Sequence, residues 1–299
     1  MKPTVLLAAS YDLKIHAFDL ANGTALSEFE IGNSQANRIV PSGDHHFFVA
    51  AYSHIFLFDY FFRNKRPIHS FNAHKGNVTD LTFVPSAFSF FTCGDDQNIK
   101  VWDRRTFTPQ IVIKAGGALN SLAILPTGFH VITCSESGFI AVFDARNSNC
   151  LQKLNLATKP VRSISISPDN SSLVAAVQDG KTICYSLDNE TLKEKYTIHT
   201  TNDLQIRCTV SPDSSVFATT AADNTSKIWD LKTGELKHSL IGGEKREWVW
   251  DASFTDDSSK LCTGSSDGFC KVWDVKQGNM ILQTPKIEKC VSAIGLIDV

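Results

Sequence analysis

Short apolar runs of Val, Ile, Leu, Phe and Thr alternate with clusters of Gly, Asp, Asn, Ser and Pro along the whole chain. Runs of this length and composition, bounded by turn formers, predict β-strands. One stretch shows the layout. Val78–Val84 reads as a strand, broken by Pro85-Ser86. Ser89–Cys93 follows, then the turn Gly94-Asp95-Asp96-Gln97-Asn98, the strand Ile99–Trp102 and a fourth strand, Gln110–Lys114. The same order returns throughout. Pro41, Pro85, Pro126, Pro168 and Pro212 fall at one phase, after the first strand of each unit, and Thr255-Asp256 takes that place in the last full unit. His45-His46 is expected in a turn before Phe47.

An aromatic–acid pair marks the repeat. The pairs are Phe18-Asp19, Phe58-Asp59, Trp102-Asp103, Phe143-Asp144, Tyr185-Ser186 with the acid lost, Trp229-Asp230 and Trp273-Asp274; successive aromatics are 40, 44, 41, 42, 44 and 44 residues apart. A period of about 40–45 residues ending in Trp-Asp is the mark of WD-repeat β-propellers, with four strands per blade. The resemblance implies an all-β, seven-bladed propeller and one domain over residues 1–299. The first unit starts at Val5–Ala9 and Lys14–Phe18, which match second and third strands, while Cys290–Leu296 matches a first strand with nothing after it. Unpaired sheet edges are a liability, so Cys290–Leu296 is expected to complete the blade begun at Val5 and close the ring.

The resemblance also implies a buried polar chain in the third unit: His74 bonded to Asp96 and Thr92, and Thr92 bonded to the Trp102 indole. Thr219, Asp223 and Trp229 stand in phase in the sixth unit, where the candidate histidine is His199, and Thr263, Asp267 and Trp273 in the seventh, with no histidine. Such sets resemble hydrolase triads on paper. A hydroxyl held in a strand against an indole is, however, not the exposed nucleophile on a strained turn that such chemistry needs. Phosphate-loop, dinucleotide and His-Glu-x-x-His patterns are missing from the sequence. No catalytic residue, metal or cofactor is expected.

Composition narrows the partners. The net charge is −2 over 299 residues, with no basic run, which disfavours nucleic acid and anionic membrane. Val5–Ala9 is far too short to span a bilayer. None of the eight cysteines forms a Cys-x-x-Cys pair, and small buried hydrophobes are the expected state. The Asn-x-Ser/Thr sequences at Asn22, Asn77, Asn170, Asn189 and Asn224 are read as turn asparagines. A monomer in a cytosolic or nuclear setting is expected, without insertion into membrane.

Departures from the repeat are the candidates for function. Glu247-Trp248-Val249-Trp250 follows the polar run Gly242–Arg246 and opens the first strand of the seventh unit. Residues i and i+2 of a strand share a face, so both indoles should project together, either as an interface anchor or as packing between blades. Ser34-Gln35-Ala36-Asn37-Arg38 occupies the equivalent loop of the second unit, where Tyr52 stands in place of the turn aspartate.

These elements resemble a narrower family. "SPDSSVFATTAADNTSKIW", "REWVWDASFTDDSSKLCTGSSDGFCKVWD", "SQANRI" and "PIHSFNAHKGNVTDLTF" are similar to the G-protein-β-like, lethal-with-Sec-thirteen subunits of TOR kinase complexes. The likeness covers essentially the entire chain. It implies a non-catalytic scaffold that docks on an insertion of the kinase domain through Gln35, Asn37, Trp248 and Trp250 and stabilises the kinase. It also implies a cytoplasmic location, peripheral to endomembranes through the complex. The Thr200–Leu204 loop lacks an aromatic that this family tends to carry. A rival expectation comes from Trp102-Asp103-Arg104-Arg105, which matches the Trp-Asp-x-Arg pattern of substrate receptors of cullin-based ubiquitin ligases, with Arg105 as the contact.

Overall fold

The computed structural model describes residues 3–32, 34–43, 45–84, 88–156, 159–188, 191–200, 204–243 and 247–299. Seven four-stranded antiparallel sheets follow one another, each a meander, and among the described residues there is no helix. Within each blade we call the strands a to d from the centre outward. The a strands are Val291–Asp298, Ala36–Gly43, Val78–Phe83, Leu119–Ile124, Val161–Ile166, Gln205–Val210 and Val249–Phe254, for blades 1 to 7. Neighbouring a strands pack on one another around the ring, blade 7 on blade 1 included.

The closure is the one expected, shifted by two residues at its far end. Val291–Asp298 pairs antiparallel with Thr4–Ser10, placing Leu296 opposite Leu6 and Ala293 opposite Ala9. The last strand of the chain thus joins three strands from its start, which leaves no blade short.

The aromatic–acid beat has two separate jobs. All seven aromatics, from Phe18 to Trp273, are buried between blades. The acids shape the turn that follows. Asp19, Asp59, Asp103, Asp144, Asp230 and Asp274 each accept the backbone N–H two residues on, at 2.8–2.9 Å, the bond that fixes an Asx-turn. Blade 5 carries Ser186 instead. There the c and d strands run on to Lys181–Asp188 and Thr191–His199 and pair out to Asp188 opposite Thr191, so the turn moves outward.

Three expectations need correction. Pro41 lies inside Ala36–Gly43, opposite Phe47, not after the strand. An a strand is the inner edge of its sheet, so a proline nitrogen there forfeits no ladder bond. Trp248 precedes its strand, which begins at Val249. His45 is in a turn at φ 64°, while His46 starts the strand His46–Ala51. Pro85, Ser86, Asn189 and Glu244–Arg246 lie outside the described residues, as does most of the Thr200–Leu204 loop. Cys93, Cys134, Cys184, Cys208, Cys262 and Cys270 are buried free thiols, whereas Cys150 is exposed and Cys290 half-buried.

One irregularity recurs in every blade. The a–b pairing slips by one residue at the same phase, leaving Ser292, Asn37, Thr79, Asn120, Arg162, Ile206 and Trp250 as bulges in blades 1 to 7. A bulge re-aims its side chain out of the ladder. This repeated bulge is what equips one face of the ring.

Candidate binding face

The polar chain of blade 3 is assembled as a continuous relay. His74 Nδ1 lies 2.8 Å from Asp96, His74 Nε2 lies 2.7 Å from the Thr92 hydroxyl, and the Trp102 indole N–H donates to Thr92 at 2.8 Å. Burial holds the His74 pKa below its ordinary value even though Asp96 pulls the other way. Neutral His74 therefore donates to Asp96 from Nδ1 and accepts the Thr92 hydroxyl proton at Nε2. Burial pushes the Asp96 carboxyl up, but bonds from His74 and the Lys75 and Asn98 amides bring it below its ordinary value.

Blades 6 and 7 keep only the inner half of that relay. Trp229 donates to Thr219 and Trp273 to Thr263, both at 3.0 Å. Asp223 accepts the Thr225 amide and hydroxyl. His199 is exposed at the end of its strand. In its stead Thr200 donates to the Gly180 carbonyl and accepts from Gln205. In blade 7 the cation is Lys271, buried and paired with Asp267, which also takes bonds from Ser265 and the Phe269 amide. The strand hydroxyls bonded to the indoles, Thr92, Thr219 and Thr263, are all buried.

On the face that carries the bulges and the b–c turns, the two indoles of blade 7 lie together. Their ring centroids are 5.0 Å apart; Trp248 is 42 % exposed and Trp250 is half-buried. Trp248 is fixed by a reciprocal pair of bonds to Ser266, whose hydroxyl also donates to Glu247. The Trp250 indole N–H is buried and is directed at the Cys290 thiol, which it hydrogen-bonds. Burial raises the pKa of that thiol to about 11. The Cys290 carbonyl in turn accepts the Tyr11 amide.

Tyr11 and Tyr52 extend this surface through blades 1 and 2, at 41 % and 56 % exposure. Each stands on a b–c turn, and Gln35 is exposed beside the blade 2 strand. The repeat pattern offered no signal for Tyr11. Tyr52 was visible as the replacement of the turn aspartate.

Asn37 has a different setting from Gln35. Its side-chain amide donates to the Val78 carbonyl of blade 3 at 2.9 Å. The same latch, from a bulge side chain to the carbonyl before the next blade's bulge, runs from Ser292 to Ala36, Thr79 to Leu119 and Asn120 to Val161. It stops there. Arg162 turns to Gln178 and Glu136, and Ile206 and Trp250 make no such bond among the described residues. Blades 5 to 7 are tied on the opposite face instead, where Ser214 and Ser258 accept the amides of Asp169 and Asp213 in the preceding blade. Among the described residues, the bulge positions of blades 6 and 7 therefore form no latch to the next blade.

Beneath the bulges lies a charged ring that the sequence reading missed. Arg38 reaches Asp80 at 3.1 Å and Asp251 at 3.3 Å; Arg207 reaches Asp251 at 3.2 Å and Asp80 at 3.8 Å. The aspartates are almost fully buried, and a cavity of about 230 Å³ lies alongside. Burial disfavours the Arg207 charge, and the two carboxylates more than restore it. The signal was present, since all four residues directly follow a bulge position, but only the repeat register reveals it.

Arg105 is exposed. Its guanidinium forks onto Asp103 at 3.0 and 2.7 Å and stacks over Phe88, on the face opposite the indoles.

A closed ring of seven meander sheets, with its polar chains buried and an aromatic arc on one face, defines a β-propeller repeat protein. The WD domain, G-beta repeat signature matches residues 65–103, 148–186, 191–230 and 234–274, together more than half of the chain. The chain belongs to the WD-repeat family. The unmatched blades 1, 2 and 4 are those with Phe18, Phe58 and Phe143 in place of Trp. Among curated proteins, the chain is similar to "Target of rapamycin complex subunit LST8" of Saccharomyces cerevisiae, at 30 % identity over 62 % of each chain. It is similar to "Target of rapamycin complex subunit wat1" of Schizosaccharomyces pombe, at 28 % over 60 % of this chain and 58 % of that one. It is also similar to the LST8 subunit of Mus musculus, at 28 % over 69 % and 66 %. The matched segments thus span about three fifths of the length of the two fungal relatives.

Proposed function

We propose that this protein is a non-catalytic subunit of a TOR-type kinase complex, and that it binds and stabilises the kinase domain. The contact is the arc of Trp248, Trp250, Tyr11, Tyr52, Gln35 and Asn37. The observation that carries the reading is the indole pair, Trp248 exposed and Trp250 half-buried, on the stretch of rim where the described bulge residues form no latch. Paired aromatics on a rigid frame are the side chains that anchor interfaces. The names of the similar proteins supply the class of partner. A rigid propeller that binds only the ordered kinase shifts it toward that state by mass action. Affinity purification of the tagged protein, with mass spectrometry of what co-elutes, tests this. A TOR-type kinase should be the main stoichiometric partner, and its absence would overturn the proposal.

A further inference from the structure

We propose that Arg38 and Asp251 are positioning residues that join the two ends of the binding arc into one rigid element; the inference rests on the reading of that arc as the kinase contact. Asn37 and Trp250 occupy the same bulge position in blades 2 and 7. A bulge residue has no ladder partner, so its direction depends on how firmly its flanking residues are held. Arg38 follows Asn37 directly, and Asp251 follows Trp250 directly. These two flanking residues are bonded to each other across the channel, Nη1 to the carboxylate at 3.3 Å.

The bond has to pass blade 1, and the residue at that phase in blade 1 is Ala293, fully buried and small enough to leave the path open. Arg207 reaches Asp80 in the same way past Ser121 and Ser163 of blades 4 and 5. Pairs of large charged residues alternate with small ones around the lumen, and the two guanidinium groups span it past the small positions. The aspartates are held on their other sides. Asp251 accepts the Ala252 and Ile294 amides, both at 3.0 Å. Asp80 accepts the Ser121 hydroxyl at 2.6 Å and the Leu122 amide at 3.2 Å. Asp251 thereby fixes blade 7 to blade 1, and through Arg38 to blade 2. A binding constellation gains from supports locked in this way. The planar guanidinium can address two carboxylates at once, which a lysine ammonium on its flexible stem does poorly.

The test uses the purified full chain labelled with 5-fluorotryptophan. It gives one ¹⁹F line per indole, assigned by single Trp→Phe changes. In Arg38→Met the Trp248 and Trp250 lines should shift or broaden, while those of Trp102, Trp229 and Trp273 hold. Arg38→Lys should displace the same two lines by less, and it carries the test if Arg38→Met does not fold. Affinity for the purified kinase should fall at least about tenfold in Arg38→Met. Adding Trp250→Ala should cost much less than it does in the wild type, since coupled residues are not additive. Unchanged lines, or all five lines moving together, would overturn the inference. If Trp248→Ala with Trp250→Ala leaves kinase affinity intact, the docking reading fails instead, and the ¹⁹F lines still decide whether Arg38 positions the indoles.

Discussion

The side-chain amide of Asn37 donates to the carbonyl of Val78 across the seam between blades 2 and 3. Asn37 therefore serves the ring as well as any partner, and the two roles separate by substitution. Asn37→Ala loses the latch and should cost about 0.5–1.5 kcal/mol, the usual net worth of one such bond. Asn37→Thr copies the residue that latches blade 3 to blade 4 through Thr79 and should recover most of it. Urea unfolding measures both. If Asn37→Thr restores stability but not kinase binding, the amide itself contacts the partner.

The indole–hydroxyl bonds of blades 6 and 7 stand without a histidine behind them. Thr219→Val and Thr263→Val keep the shape and leave Trp229 and Trp273 with a buried, unpaired N–H. Each should lower stability by about 1–3 kcal/mol. Thermal unfolding checks this, and kinase binding at low temperature should be unaffected, because both indoles are buried away from the arc.

His74 gives a defined pH dependence. Burial lowers its pKa in the folded state, so near pH 6 the unfolded chain binds more protons than the folded one, and stability rises with pH there. The contribution is complete above the ordinary histidine value of about 6.5 and is lost as pH falls from there toward the lower folded value. His74→Gln should be less stable than the wild type at pH 7.5, with a flatter profile between pH 7 and 5. Urea midpoints across that range decide it, and parallel profiles would contradict the assignment of the neutral, relay-bonded imidazole.

Closure by the last strand makes a sharp prediction about truncation. Removing Val291–Asp298 exposes the Thr4–Ser10 edge and strips blade 1 of its inner strand. Exposed edges recruit other chains, so the truncated protein should oligomerise or aggregate, which size-exclusion chromatography with light scattering reads directly. A monomeric, cooperatively folded truncation would count against a ring held by this strand.

Most of the fold was legible because a repeat prints its own register. The beat from Phe18-Asp19 to Trp273-Asp274 gave blade number and strand order, since a buried aromatic recurs in every blade and an Asx-turn acid in all but blade 5, and the unmatched strands at the two ends gave closure. Pro41 was misplaced because an inner edge strand tolerates a proline that a central strand would not. The face was harder to read. Trp248 and Trp250 stood out as departures from pattern, whereas Tyr11 lies in an ordinary turn and matters only through its place between blades 7 and 2. Arg38, Asp80, Arg207 and Asp251 come from four separate units. Their pairing depends on ring geometry and on small neighbours such as Ala293, which no local window contains.

The central claim is that the indole pair anchors the kinase. The direct measurement is the affinity of the purified TOR-type kinase for the wild type and for Trp248→Ala with Trp250→Ala, alongside the melting temperature of each isolated propeller. Truncated aromatic anchors often cost roughly 2 kcal/mol or more each, so affinity should fall at least about a hundredfold. The melting temperature should change little, because Trp248 is half exposed and both residues lie at the rim. A folded double variant that binds the kinase as the wild type does would contradict the account.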